Sequence, residues 1–385
     1  MAKTLKLGIA GLGNAGQAVL RDLSAIAEVE FGAVADIREA ALAAGRAKHP
    51  DIELYASVEA MCQSKNVDAV WIATPNEFHA DHVVAAANGG KHVVCEKPMA
   101  LSLNECDLMI DAAAKNRVQL LMHSKAGDPP IRKMREIIAS GRLGRPIQIN
   151  SWNYKAWLNL PRLPAELDIA KGGGIVFRQG AHQVDIVRTI GGGLIKSVRA
   201  ITGRWHPRFD TEGNYTAFVE FTDGTPATLV FNGYGAFAMT ELTWGIGEGG
   251  YAAAERAALP IAAAAPVRKE AKYAEPTRAE GRQRAGPRRQ PFFGLTLVSC
   301  EKGDVRQSPD GLYVYTGENR EEIICAPFMD RATELRRLYE AAVDGRPEFA
   351  DGKWGKATLE VLLAIIQSSK QRREIVLAHQ VPCPL

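Results

Sequence analysis

The sequence predicts an α/β protein in two parts. An N-terminal doubly wound parallel sheet of Rossmann type is expected over residues 1–125, and a C-terminal α+β domain with an open, largely antiparallel sheet over 126–385. Three observations carry this expectation. A chain of 385 residues exceeds the size at which a single hydrophobic core stops growing. Its first third alternates short apolar runs with segments of helical period, the pattern of a parallel sheet wrapped by helices. Beyond residue 125 that alternation gives way to apolar–polar runs joined by turn dipeptides, as antiparallel hairpins require.

In chain order, "LKLGIA" and "VEFGAVAD" suit strands buried on both faces, and "NAGQAVLRDLSAIA" between them carries apolar residues at helical spacing. "DAVWIATP", "KHVVCEKP" and "VQLLMH" predict further strands, with helices over "NEFHADHVVAAANGG" and "LSLNECDLMIDAAAKN". Ser102 and Glu105 stand at capping-box spacing at the start of the second of these, and Asn116 marks its stop. Next come a helix in "PPIRKMREIIASGRLG", strands in "PIQINSWNY", "KSVRAITGRW", "YTAFVEFTDGTPATLVFNGYG", "GLTLVSCEKGDVRQSP" and "GLYVYTGENREEIICA", and two closing helices, "FMDRATELRRLYEAAVDG" and "WGKATLEVLLAIIQSSKQRRE". Asp223-Gly224 is the clearest hairpin turn. Residues 245–291, rich in Ala, Arg, Gly and Pro, interrupt the strands. We expect a long mobile insert there, opened by a short helix over 251–258, its cations solvated rather than bound to nucleic acid.

A net charge of +3 points to no nucleic-acid partner. The six cysteines form no CxxC pair or regular framework, which predicts free thiols in a reducing compartment and no metal site. The opening "MAKTLKLGIAGLG" already has the form of a strand, and no apolar run is long enough for a bilayer. The expectation is therefore a cytoplasmic protein without a leader or a membrane partner.

Chemistry first enters at Gly11, Gly13 and Gly16, the GxGxxG of "GIAGLGNAGQ", which follows a strand and opens a helix. The first glycine allows the tight turn, the second admits a pyrophosphate to the backbone, and the third lets helix and strand pack closely. The helix start at Asn14 and Ala15 supplies amides and a favourable dipole for the phosphates. Asp36 ends the second strand, where a carboxylate accepts from ribose hydroxyls and points to NAD. Arg38, two residues on, is placed to meet a 2′-phosphate, so NADP stays open. Two further strand ends carry "TPNEFH" (Thr74, Pro75, Asn76 and His79) and "CEKP", in which Glu96 precedes Lys97 and Pro98 holds the lysine backbone extended.

The second domain offers "GGGIVFRQGAHQVD", residues 172–185. Its glycines let backbone approach a ligand closely, and the helix after them points its amide end at an anion. On an α-helix, Arg178, His182, Asp185 and Thr189 form a polar stripe, and Phe177, Ala181, Val184 and Val187 an apolar one. Upstream, "NYKAWLNLPRLPAELDIAKGGG" adds Lys155, Trp157, Arg162 and Lys171. Each of these cations has an ordinary surface role as its simpler alternative, while Trp157 is suited to pack on a ring.

This order of motifs resembles the oxidoreductase family named for glucose–fructose oxidoreductase, inositol dehydrogenase and MocA: GxGxxG with a strand-ending acid, then TPN with a downstream His, then EKP, then a Gly-rich turn with a His beyond it. The resemblance implies that Lys97 is the catalytic lysine, that His182 shares its proton transfer, and that Gly11, Gly13, Asp36, Thr74, Asn76 and Glu96 line the cofactor. Sugar-handling relatives carry an aspartate four residues before the histidine; here that position is Arg178, whose planar fork suits a carboxylate. The "FRQGAHQ" helix and the long insert are most similar to the branch acting on phthalate cis-4,5-dihydrodiols. That likeness implies NAD-dependent oxidation of a carboxylated cyclic cis-diol, a small anionic ring held by Arg178, Lys97, His182, Trp157, Arg162 and Asp185, and a homodimer or homotetramer. A sugar or cyclitol dehydrogenase is the alternative, and a non-catalytic nucleotide-binding regulator a further one.

Overall fold

The computed structural model describes residues 4–158, 162–206, 209–252, 286–329 and 331–385. In chain order its elements are β1 (Leu5–Ala10), α1 (Asn14–Leu23), β2 (Val29–Ala35), α2 (Glu39–Lys48), β3 (Glu53–Tyr55), α3 (Val58–Cys62), β4 (Ala69–Ile72), α4 (His79–Asn88), β5 (His92–Cys95), α5 (Leu103–Asn116), β6 (Leu120–Met122), α6 (Pro129–Ala139), β7 (Pro146–Tyr154), α7 (Pro164–Leu167), α8 (Ala181–Ile190), β8 (Ile195–Gly203), β9 (Asn214–Phe221), β10 (Pro226–Asn232), β11 (Leu295–Cys300), β12 (Gly303–Ser308), β13 (Gly311–Thr316), β14 (Asn319–Ile324), α9 (Arg331–Ala342), α10 (Gly352–Gln371) and β15 (Ile375–Val376). They fall into two compact units. The described residues of 4–123 and 329–359 form unit 1, and those of 124–252, 286–328 and 360–385 form unit 2.

Unit 1 is built on a parallel sheet of order β3-β2-β1-β4-β5-β6. Its central strands are apolar on both faces, with Leu7, Ile9, Ala69, Val70, Trp71 and Ile72 all fully buried, which is why they read as unbroken apolar runs. The strand order reverses direction between β1 and β4, so the carboxyl ends of β1, β2, β4 and β5 form the ligand-binding edge expected of this topology. The capping box of α5 is present: the Glu105 amide donates to Ser102 Oγ at 3.2 Å, and the Ser102 amide donates to Glu105 Oε2 at 2.9 Å. Asn116 is the last residue of that helix, and Arg117 takes the left-handed cap with φ of 56°. The weakly amphipathic α2 and the short β3 and α3 have no counterpart in the sequence reading.

The boundary expected at 125/126 needs correction at the C-terminal end. Helix α9 belongs to unit 1, where Ala332, Leu335, Leu338 and Ala341 join the core of Leu5, Leu7, Ile9, Val19, Leu23 and Trp71. Helical periodicity shows that a stripe is buried but not which core receives it. The start of α9 also brings charge into that interior. Arg331 reaches Glu96 at 2.8 Å and Glu334 at 3.5 Å and contacts His123, whose Nδ1 lies 2.7 Å from Glu334 Oε1. All four are buried. Burial opposes the charge on Glu96, but the guanidinium of Arg331, helped by His123, outweighs it and holds the carboxyl below its ordinary range.

Unit 2 carries a mixed, mostly antiparallel sheet of order β14-β13-β12-β11-β7-β10-β9-β8-β15, in which β7 and β10 pair in parallel. Alternation sends Tyr215, Ala217, Val219, Phe221, Ala227, Leu229 and Phe231 into the core. The β9–β10 turn closes at Asp223-Gly224, with Gly224 at φ of 84° and the Phe221 amide donating to Thr225 O at 2.9 Å. At the insert, Ala252 bridges to Ile246, so the first residues of the expected 251–258 helix are extended; 253–285 lie outside the described residues. All six cysteines are free thiols, five of them buried. Among the described residues, no helix is long and apolar enough to cross a membrane, and no cluster of side chains could hold a metal ion.

Removing Arg331 strands two buried carboxylates. Arg331→Met should lower stability at neutral pH by about 3–5 kcal/mol, read from urea denaturation. Glu96 titrates below its ordinary value of 4.5 in the folded wild type, so its contribution is present above that value and is lost as pH falls through the folded one. In the variant the stranded carboxyls bind protons more readily when folded than when unfolded. The variant should therefore regain stability between about pH 7 and 5, where the wild type changes little. Equal stability of the two proteins at neutral pH would show that the cluster contributes nothing.

Candidate active site

In unit 1 the glycines of the first turn are required by close approach. A Cβ on Gly11, which has φ of 91°, would lie 2.8 Å from Ala73 O, and one on Gly16 would lie 2.0 Å from Gly11 O. Helix α1 begins at Asn14 and Ala15 after Gly13, with no side-chain cap and no acid in its first turn, so its own side chains leave the positive end of the dipole unanswered. Asp36 Oδ2 accepts from the Leu12 amide at 2.8 Å, and Oδ1 accepts from the Arg38 amide and Nε, both at 2.9 Å. Arg38 also reaches Oδ2 at 2.7 Å. Burial works against this carboxylate's charge, but Arg38 and the two amides outweigh it and hold the carboxyl below its usual range. A dipole end for a pyrophosphate and an oriented carboxylate for a ribose diol fit a dinucleotide such as NAD.

The other strand ends differ from expectation in detail. His79 is fully buried, with Nδ1 2.8 Å from Pro98 O and Nε2 3.0 Å from Thr74 O. It is a strut joining the "TPN" and "EKP" segments, not a group that can line a cofactor. Thr74 Oγ1 lies 2.9 Å from His82 Nδ1, Pro75 is exposed, and Asn76 is buried. Glu96, expected at the cofactor, instead faces Arg331 and Trp71 in the interior. Lys97 follows it, half-buried, joined to Pro98 by a cis peptide.

In unit 2 the segment carrying Arg178 is a π-helical turn, Val176–Gly180, that runs into α8. A π turn acts as one inserted residue, about 100° of rotation, so the α-helical register assumed for the polar stripe does not hold across it. Beyond half-buried His182, the whole of α8 from Gln183 to Ile190 is buried, and its polar groups are used internally. Asp185 Oδ2 accepts from Ser124 Oγ at 2.6 Å and from the Ala126 amide at 3.0 Å, while Thr189 Oγ1 donates to Asp185 O at 2.8 Å. The expected substrate contact of Asp185 is therefore replaced by a structural one. The glycines and helix start, expected to greet a ligand anion, are also met from within. A Cβ on Gly173 would lie 2.6 Å from the backbone of Asp168, Gly174 (φ of 83°) faces the Glu212 carboxylate, and the Val176 amide donates to Glu212 Oε1 at 3.1 Å.

Arg178, Arg162 and Trp157 do come together, through a residue the sequence analysis passed over. Glu166 Oε1 stands 3.1 Å from Arg178 and 3.6 Å from Arg162. Arg162 donates twice to Trp157 O, at 3.0 and 2.8 Å, and stacks on the Trp157 ring with its guanidinium carbon 3.9 Å from the centroid. His182 meets Phe293 edge to face at 5.1 Å, and Lys155, paired with Glu248, lies 5.5 Å from the same ring. Lys171 is exposed. Phe293, Glu212 and Glu248 gave no sequence signal, because the contacts that place them here are with residues distant in the chain.

Known proteins share this fold. The family profile described as "Oxidoreductase family, NAD-binding Rossmann fold" matches residues 5–124, and the "GFO/IDH/MocA C-terminal domain" profile matches 131–250. A Comamonas testosteroni 1-carboxy-3-chloro-3,4-dihydroxycyclohexa-1,5-diene dehydrogenase is 31% identical, covering 98% of this chain and 98% of its own. The chain belongs to the Gfo/Idh/MocA oxidoreductase family. Among other members, inositol 2-dehydrogenase of Salmonella typhimurium is 30% identical over 73% of this chain and 81% of its own. A Bordetella bronchiseptica RB50 protein of known structure superposes with a TM-score of 0.90 at 34% identity, over 97% of this chain and all of that one. This member of the Gfo/Idh/MocA family is thus an NAD-binding oxidoreductase.

Asp36→Ala removes the acceptor for the ribose diol and releases Arg38. The Michaelis constant for NAD+ should rise about 10- to 100-fold, as for loss of charged hydrogen bonds, while that for NADP+ rises less or falls. Initial-rate kinetics with both cofactors checks this, and an unchanged constant for NAD+ would remove Asp36 from the cofactor site.

Proposed function

We propose that this dehydrogenase oxidises one secondary alcohol of a carboxylated cyclic cis-diol, of the kind found in phthalate-type dihydrodiols. The observation that carries the reading is Arg178. It stands four residues before His182, and its side chain is 31% exposed where Arg162 and Glu166 are nearly buried, so it is the charged group of its cluster that a ligand can meet. A guanidinium there recognises a carboxylate through its planar fork. Phe293, buried edge-on against His182, braces the imidazole. The Comamonas relative, whose name describes a carboxylated cyclohexadiene diol, supports the same substrate class.

When bound, NAD+ supplies the hydride acceptor. Lys97 takes the hydroxyl proton of the reacting carbinol at Nζ, directly or through His182, and Arg178 orients the ring by its carboxylate. The resulting enone tautomerises to a catechol, and this aromatisation makes the oxidation effectively one-way. The inositol dehydrogenase relatives favour a second reading, a cyclitol oxidised by the same Lys97 and His182. A panel of carboxylated ring diols and neutral inositols with NAD+ separates the two.

Free thiols suit a reducing, cytoplasmic setting. We also infer a homodimer or homotetramer, supported by Trp152, Ile201 and Phe218 exposed on the sheet of unit 2; light scattering measures it.

Lys97→Ala should lose about two to four orders of magnitude in turnover while NAD+ affinity, read by fluorescence titration, stays near wild type. Wild-type turnover in that variant would end the assignment. For Arg178→Ala, the Michaelis constant for a carboxylated diol should rise about 10- to 100-fold, more than turnover falls. An unchanged constant would remove the anion-binding role.

A further inference from the structure

We propose that Asn153 and Gln179 form a subsite for the ring hydroxyl that is not oxidised, Asn153 donating a hydrogen bond to its oxygen and Gln179 accepting one from it. This rests on the ring-diol reading given above and deepens it.

Both side chains enclose an unmatched polar atom inside unit 2. Asn153 is 3% exposed, and its Nδ2 has no hydrogen-bond partner among the described residues. Gln179 is half-buried, with Oε1 enclosed and likewise unpartnered there. Its Nε2 donates to Arg178 O at 3.0 Å, which fixes the orientation of the amide and leaves the oxygen as the end on offer. Enclosing such atoms unpaired is costly, and native chains rarely do so without a use for them.

Sheet and helix place the two residues near His182. Tyr215, Phe231 and Asn153 form one register row across β9, β10 and β7. The 179–183 turn packs on that row: the Tyr215 hydroxyl donates to Gln183 Oε1, and a Cβ on Gly180 would lie 3.4 Å from the same hydroxyl. Gln183 Nε2 donates to Ser151 O at 2.7 Å, two residues before Asn153 on the same face of β7. Phe231 lies 6.3 Å from Phe293 between ring centroids, and Phe293 is the ring that meets His182. A donor and an acceptor together complement a hydroxyl, which accepts and donates at one oxygen. A carboxylate only accepts, and Gln179 Oε1 would repel it. These two amides therefore read an alcohol where Arg178 reads an acid, and the ring is held at two points.

The test compares kcat/KM with NAD+ for phthalate cis-4,5-dihydrodiol and for its analogue lacking one hydroxyl, in the wild type, Asn153→Leu and Gln179→Met. The wild type should favour the diol by about 100-fold or more, because the analogue leaves both amides unpaired. Each substitution should lower kcat/KM about 10- to 100-fold for the diol and about threefold or less for the analogue. Equal losses on both compounds, or no loss on the diol, overturn the subsite and leave the ring-diol reading intact. Oxidation of neither compound by the wild type overturns that reading and this proposal with it. Should the analogue not turn over, or circular dichroism show that the variants do not fold, competitive inhibition of the wild type decides. 4,5-Dihydroxyphthalate binding about tenfold or more tightly than 4-hydroxyphthalate supports the subsite, and a smaller advantage overturns it.

Discussion

Buried charge governs the carboxyl end of strand β5. Glu96 immediately precedes Lys97, and its carboxylate is anchored on Arg331, at the start of a helix more than two hundred positions further along the chain. A buried ion pair of this kind is a poor source of net stability, because desolvating both partners costs about as much as their attraction returns. Its effect is positional. Glu334 and His123 complete the set, and the backbone that carries Lys97 adjoins it. The N-terminal unit is therefore not finished when its sixth strand is laid down. A chain ending near residue 125 would lack both the cation that Glu96 requires and the apolar stripe of α9 that covers Leu5, Leu7 and Trp71.

The same rule recurs at three of the places where the sequence suggests an external anion. The helix start at Val176 receives Glu212, Arg38 receives Asp36, and Arg178 receives Glu166. Each positive feature is met first by a carboxylate of the chain, because leaving it bare in a partly buried setting costs more than pairing it. What stays accessible is the end of α1, which its own side chains leave uncapped, and the exposed part of Arg178. Binding chemistry inferred from residue types alone overstates the charge available, and the internal partners set the correction.

Legibility in the sequence followed the range of each interaction. Five of the six strands of the unit 1 sheet, the capping box at Ser102 and Glu105, and the turn at Asp223-Gly224 all depend on neighbours within a few residues, and all stand out. The motifs GxGxxG, TPN and EKP likewise have fixed local spacing, and each lies at a strand end. The roles of His79, Glu96 and Asp185 were misjudged because their partners, Pro98, Arg331 and Ser124, lie from 19 to 235 positions away. A polar residue near a motif looks the same in a sequence whether it faces a ligand or braces the backbone behind one. The π turn was hidden for another reason. Its wider winding has no compositional mark, so Arg178 and His182 appeared as an ordinary i, i+4 pair.

That winding bears on why an arginine can occupy position 178 at all. Had the α-helical register continued, residue 178 would share the orientation of α8, whose later turns are buried on every side and whose one arginine, Arg188, is fully enclosed and needs Gln380 to satisfy it. The inserted residue turns 178 away from that interior, towards α7, where Glu166 stands ready because Leu163 and Arg162 already hold it. Arg162 is held in turn by the ring and carbonyl of Trp157. The order of dependence runs from a stacked, immobile cation to a fixed carboxylate to a half-exposed cation. Arg162 and Glu166 are nearly buried and Arg178 is not, so on the anion-binding reading the last member alone is open enough to exchange part of its partnership for a substrate.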